Sequence, residues 1–236
     1  MVALVLLAAT AVGAVGPLFR LGRNEVRQAG ALMQLYRELS PRRTLPRTRG
    51  WAASPDFLLT LYRTIREHRP ELVVEVGSGV STLVTAYALQ QNGSGRLVSL
   101  DHDPVFAERT RHTLKLHRVA GGVEVRDAPL EPTRIGDGEW QWHPQETFQD
   151  LRAIELLVVD GPPGSAGRLA RFPALPLLRT RLAPGARVLL DDGARQEERQ
   201  AAERWKEQCG GEWSYVPLNK GLIVGKFNPV RSRPEP

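Results

Sequence analysis

One cysteine, Cys209, stands alone among 236 residues. It has no partner for an intramolecular disulfide, so the chain is no disulfide-stapled scaffold and nothing in it points to an oxidising compartment. No Cys/His cluster has zinc-ligand spacing, and no glycine-rich run ends in Gly-Lys-Ser or Gly-Lys-Thr, which removes the zinc and P-loop readings. Repeats and low-complexity tracts are also missing, which excludes solenoid, collagen-like and disordered chains. Excess charge is absent from most of the sequence: residues 51–236 hold 24 basic and 24 acidic side chains. The formal charge of +6 therefore belongs to residues 1–50, where Arg20, Arg23, Arg27, Arg37, Arg42, Arg43, Arg47 and Arg49 face only Glu25 and Glu38. A basic nucleic-acid-binding domain is not supported, and no nucleic-acid partner is expected. What is present, 42% hydrophobic and 25% charged residues, fits one globular domain with an appendage.

Charge is missing again from Met1 to Phe19. As a helix this stretch would span roughly 28 Å, close to the hydrocarbon thickness of a bilayer. All the arginines follow it, so residues 1–19 read as a single-pass anchor with the remaining domain on the cytoplasmic side. A secretory signal is the main rival reading, because Ala9-Thr10-Ala11 resembles a cleavage site, but its basic leading region is absent; a soluble packing helix or a misassigned start is the third. Residues 24–39 have helical apolar spacing through Val26, Leu32, Met33, Leu35, Tyr36 and Leu39. Such a helix either docks on the domain or lies on anionic lipid. Residues 41–50, with Pro41, Pro46 and four arginines, read as a basic linker. Ser54-Pro55-Asp56 opens the next helix, with Ser54 as its N-cap. The domain is expected over 51–228, with a tail at 229–236.

From Glu71 onward apolar runs alternate with helical stretches. Strands are expected at Leu72–Val76, Leu97–Leu100, Val123–Val125, Ile154–Val159 and Arg187–Leu190, with helices between, including ones near 166–181 and 194–208. Trp213–Pro217 and Leu222–Phe227 flank Asn219-Lys220-Gly221 as a closing hairpin. The fold class is thus α/β, a doubly wound sheet of about seven strands, mostly parallel with a C-terminal antiparallel hairpin, preceded by an N-terminal helical arm. Ligands of such sheets sit beyond the carboxyl ends of the strands. There the sequence places Glu75, Asp101, Asp127, Asp160, and the pair Asp191 and Asp192. One Asp after a strand is an ordinary turn residue, but carboxylates after all five need donors or cations nearby.

Gly77-Ser78-Gly79-Val80-Ser81-Thr82 fits two-thirds of a dinucleotide fingerprint, with Thr82 where the third glycine belongs; this weakens a nicotinamide oxidoreductase. Together with Val73-Val74-Glu75-Val76, with Val98-Ser99-Leu100-Asp101-His102-Asp103-Pro104 and with Val125-Arg126-Asp127-Ala128-Pro129-Leu130, it resembles the class I S-adenosylmethionine-dependent methyltransferases. The resemblance covers about residues 55–227 and implies a Rossmann-like fold. It further implies that Glu75 orders the glycine loop and that Gly77, Ser78, Gly79, Ser81 and Thr82 line the methionine side of the donor. Asp101 would hold the ribose with His102 at the cofactor edge, and Asp127 and Ala128 would border the adenine. A narrower resemblance is to the metal-dependent O-methyltransferases of the catechol and caffeoyl-CoA type, carried by Val158-Val159-Asp160-Gly161 and Leu189-Leu190-Asp191-Asp192-Gly193. It implies that Asp160, Asp191 and Asp192 hold Mg²⁺ or another divalent cation that activates an acceptor hydroxyl, with Asp160 at the reacting centre and also contacting the cofactor. The alternative for these three is helix capping and substrate contact without metal. The chain departs from that subgroup in having Gly161-Pro162-Pro163-Gly164 and no lysine after Asp160.

The expected function is methyl transfer from S-adenosylmethionine, mainly to a hydroxyl oxygen of a small-molecule or lipid-linked acceptor. Its rivals are an aminopropyltransferase of the spermidine-synthase type and a non-catalytic, membrane-tethered binding module. Trp140, Trp142 and His143 line an acceptor pocket or simply pack a loop. The stretch Arg195–Lys206 reads as a solvated helix face with internal ion pairs.

Overall fold

Strands and helices follow one another as the apolar runs dictate; the structure, a computed structural model, describes residues 22–48 and 50–227. Helix α1 covers residues 22–39. It is followed by α2 (Pro55–His68), β1 (Leu72–Val76), α3 (Val80–Asn92), β2 (Arg96–Asp101), α4 (Pro104–His117) and β3 (Val123–Asp127). A hairpin of β4 (Glu131–Ile135) and β5 (Gly138–Trp142) comes next. The remaining elements are β6 (Ile154–Val159), α5 (Ala174–Leu178), β7 (Leu182–Asp191), α6 (Gln196–Cys209), β8 (Glu212–Val216) and β9 (Leu222–Lys226).

The main sheet has the order β3-β2-β1-β6-β7-β9-β8, parallel from β3 to β7, with β9 antiparallel to both its neighbours. Side chains alternate across it, as the two-residue period requires. Val73, Leu97, Leu156, Val158 and Leu189 face the core shared with α1 to α4, while Val74, Val76, Leu157, Val159, Val188 and Leu190 face the core that includes α5 and α6 residues. Both faces are therefore covered, which is why β1 and β6 contain almost no polar residue.

The arm docks. Ala31, Leu35 and Leu39 of α1 are buried, and Gln28 Nε2 donates to Asp56 Oδ2 at 2.7 Å. The basic segment after α1 is strapped down rather than free: the Arg42 amide donates to Tyr87 Oη and the Leu45 amide to Tyr36 Oη, both at 2.9 Å. Among the described residues no helix is long and apolar enough to cross a membrane. The expected anchor at 1–19 and the tail at 229–236 lie outside the described residues.

One local expectation holds in position only, and three need correction. Ser54 occupies the cap position of α2, but its hydroxyl donates to Asp56 Oδ1 at 2.7 Å and caps no backbone amide. No single helix fills 166–181: Pro173 and Pro176 each lack an amide hydrogen, leaving a short α5 between 3-10 turns at Gly164–Ala166 and Arg179–Arg181. The stretch between β3 and β6 holds an unforeseen hairpin, β4–β5, closed by Gly136-Asp137. Trp142 and His143 are buried in it at 1% and 2% exposure, and Trp140 packs on Phe172 with ring centroids 5.1 Å apart. Finally, α6 is not wholly a solvated face, because Glu198 turns inward and is 6% exposed.

Candidate active site

Strand order reverses between β1 and β6, opening a crevice at their carboxyl ends. The ladder runs on past the strands: the Gly77 amide donates to Leu100 O at 2.8 Å, Asp160 N to Val76 O at 2.9 Å, and Ala128 N to Asp101 O at 2.7 Å. These bonds place Glu75, Asp101, Ala128 and Asp160 along one shelf. The loops after β1 and β6 nearly touch. A Cβ at Gly77 would sit 3.1 Å from Asp160 O, and Gly77 has φ +93°, a conformation that disfavours side chains.

Glu75 points beneath the start of α3 and is fully buried. Its Oε2 accepts from Thr82 Oγ1 at 2.6 Å, and the same Thr82 oxygen accepts from the Gly79 amide at 2.9 Å. Thr82, the residue that breaks the dinucleotide fingerprint, thus ties the acid to the glycine loop, the ordering role expected of Glu75. Burial pushes the Glu75 carboxyl up to about 7, against hydrogen bonds from Ser81, Thr82 and Ser99 that favour its charged form.

Asp101, at the end of β2, is 4% exposed. Its Oδ2 accepts from the Ser78 amide at 3.0 Å and from the Ser78 hydroxyl, and its Oδ1 accepts from the Asp103 amide at 3.0 Å. The Ser78 hydroxyl also lies 3.1 Å from Thr110 Oγ1, an alternative partner. His102 is partly exposed beside it, with Nδ1 3.7 Å from Asp101 Oδ1. Asp127 is turned outward and paired with Arg111 at 3.1 Å, whereas its neighbour Ala128 is fully buried. Of the two residues expected to border an adenine, Ala128 lies on the shelf and the Asp127 side chain lies at the rim.

His143 backs this corner, its Nδ1 2.6 Å from Ala128 O. A carbonyl oxygen only accepts, so Nδ1 carries the hydrogen. Burial lowers the His143 pKa to about 4, which leaves the ring neutral.

At the other end of the crevice Asp160, Asp191 and Asp192 come together, each offering an oxygen within 4.8 Å of the others. Two basic residues that sequence reasoning missed lie among them. Arg171 Nη2 donates to Asp192 Oδ2 at 2.8 Å and Asp160 Oδ1 at 3.3 Å, and its Nη1 donates to Asp191 O at 2.9 Å. Lys220, from the β8–β9 turn, brings Nζ to 3.9 Å from Asp192 Oδ1 while donating to Ala52 O. Arg195 Nη1 lies 3.0 Å from Asp192 Oδ2. Burial first, then the neighbouring carboxylates, pushes Asp191 up to about 8; burial outweighs Arg171 to push Asp160 up to about 6.

Three carboxylates are the donor set of a hard cation, and both Asp191 carboxyl oxygens are buried without a hydrogen-bond partner, which favours one. Arg171 opposes it. Its guanidinium already holds Asp160 Oδ1 and Asp192 Oδ2, so an ion would be left the other carboxylate oxygens and would sit beside a fixed, buried positive charge, which does not suit a divalent cation while Arg171 stays in place.

Residues 74–193 match the family described as Methyltransferase domain. No curated protein matches the chain. Among solved structures, a methyltransferase from Podospora anserina bound to SAH is similar at 16% identity and a TM-score of 0.60, over 84% of this chain and 88% of that one. An O-methyltransferase from Bacillus cereus in complex with SAH gives 16% and 0.58, over 84% and 91%. A methyltransferase from Geobacter sulfurreducens gives 20% and 0.56, over 86% and 88%. At these identities the likeness is one of fold.

Proposed function

This chain belongs to the methyltransferase-domain family, and from that premise we propose that it transfers the methyl group of S-adenosylmethionine to a hydroxyl oxygen of a small-molecule acceptor. The observation that carries the reading is the position of Asp160. It follows β6 directly against the glycine loop, keeps its side chain 13% exposed, and has a pKa raised to about 6. A carboxylate so poised accepts a proton near neutral pH. Asp101 would hold the donor's ribose, Ala128 would border its adenine, and the Gly77–Gly79 loop would face its methionine side. The acceptor oxygen attacks the methyl carbon as the carbon–sulfur bond breaks, its proton passes to Asp160, and S-adenosylhomocysteine leaves. Holding both partners in line supplies much of the rate. Neither an aminopropyl transfer nor a purely binding role has a specific observation in its favour.

Native mass spectrometry of the purified protein tests the donor assignment: a bound mass of S-adenosylmethionine or S-adenosylhomocysteine is expected. No binding of either, in this experiment and in calorimetry, overturns it. Asp160→Asn is expected to keep donor binding and lose turnover.

We also propose the membrane placement read from residues 1–19. Its support beyond those residues is α1, where Val26 and Met33 are each 74% exposed and Arg23 and Arg37 are exposed as well. At a membrane an acceptor linked to lipid would come within reach of the chain.

A further inference from the structure

The centre of the aspartate cluster is filled by a guanidinium. Arg171 is 5% exposed and comes from the irregular stretch before α5. Each side of its planar fork has work. Nη2 reaches the Asp192 and Asp160 carboxylates, Nη1 the Asp191 main-chain oxygen, and Nε faces Pro162 O at 3.5 Å and Glu198 Oε1 at 3.8 Å. Trp205 Nε1 donates to the main-chain oxygen of the next residue, Phe172, at 2.7 Å, which fixes that stretch against α6. The fork is therefore held from both the side chain and the backbone.

We propose that Arg171 is a built-in cation, which replaces a divalent metal ion at the ends of β6 and β7 and holds Asp160 and Asp192 in their working orientation. A metal ion shared by those two aspartates binds at about 2.1–2.5 Å from their oxygens. It would lie within a few ångströms of a fixed positive charge, with Asp160 Oδ1 and Asp192 Oδ2 already held by that charge. The charge demand of the paired acids is already met from protein: Asp160, Asp192 and Glu198 are opposed by Arg171, Arg195 and Lys220. Arginine suits this place better than lysine, since a planar fork serves two carboxylates at once and remains charged when buried. Arg171 acts through Asp160 and is a positioning residue. This inference rests on the site assignment above, but not on the identity of donor or acceptor.

Titration of the full chain with Mn²⁺, followed by the electron paramagnetic resonance signal of the free ion, tests it without any turnover. The wild-type protein is expected to leave that signal undiminished. Arg171→Met removes the charge while filling similar space, and is expected to bind one Mn²⁺ on the order of a hundredfold or more tighter than wild type. Arg171→Lys keeps a charge and is expected to exclude the ion as wild type does. Stoichiometric Mn²⁺ binding by wild type, displaced by Mg²⁺ and lost in Asp192→Asn, would overturn the proposal. Should Arg171→Met not fold, the wild-type and Arg171→Lys titrations still decide. Calorimetry with S-adenosylhomocysteine, run in parallel, separates failure of this inference from failure of the methyltransferase reading.

Discussion

Replacing Asp101 by alanine probes the donor site most directly. An ionised carboxylate offers about four lone-pair sites. Three are taken by the Ser78 amide, the Ser78 hydroxyl and the Asp103 amide. About one remains for a ribose hydroxyl, so the two-hydroxyl bridge expected from sequence requires Ser78 to let go. Thr110 Oγ1, 3.1 Å from the Ser78 oxygen, offers the place to which that hydroxyl can turn. One hydrogen bond to a charged acceptor is worth about 1.5–3 kcal/mol. Asp101→Ala should then weaken S-adenosylhomocysteine binding about 10- to 150-fold. Ser78→Ala frees a lone pair and keeps the backbone bond, so it should bind at least as tightly as wild type. Isothermal titration calorimetry reads both, with thermal melting to confirm that each variant is folded. A folded Asp101→Ala protein whose affinity lies within about threefold of wild type refutes the ribose assignment.

Other outcomes follow from the same geometry. Gly77→Ala places a Cβ 3.1 Å from the Asp160 main-chain oxygen at φ +93°, and should cost about 1–3 kcal/mol in denaturant unfolding along with much of the donor affinity. Asp191 and Glu75, raised to about 8 and about 7 from 3.8 and 4.5, bind protons in the native state that the unfolded state has released. Stability should therefore fall as pH rises from 6.5 to 8, by up to about 2 kcal/mol, whereas a flat or rising profile contradicts the burial of these acids. The histidines oppose this fall only near its lower end: burial lowers His143, His68 and His117 in the native state, and their unfolded imidazoles finish releasing protons between about pH 6.5 and 7.5, so the fall is clearest from about pH 7.5 to 8. Cell fractionation checks the anchor: full-length protein in the soluble fraction, or a mature N-terminus beyond residue 11, ends that proposal.

The sheet was legible because its signal is local. Val73, Val74 and Val76 in β1, or Leu156 to Val159 in β6, form apolar runs that only a strand covered on both faces requires. The carboxylates were legible for a related reason, since each sits within one residue of a strand end and inherits its position from the ladder. The β4–β5 hairpin was harder to see: its strands are half-exposed, and its two tryptophans read equally well as a pocket or as packing. Arg171 left no such trace. It stands 11 residues from Asp160 and 21 from Asp192, in a stretch whose prolines break every helical period. Only an energetic argument points to it. Carboxylates converging in a buried place are tolerable when positive charge meets them, so a basic residue had to arrive from somewhere in the chain. The phenylalanine and prolines after Arg171 explain how it arrives. Phe172 is buried beneath Trp140 and anchored to Trp205, and a residue next to so fixed a point has its side chain aimed by the backbone rather than by a helix face. The metal expectation and the guanidinium finding therefore answer one electrostatic demand, and the answer differs because a distant segment of the chain is folded into the crevice.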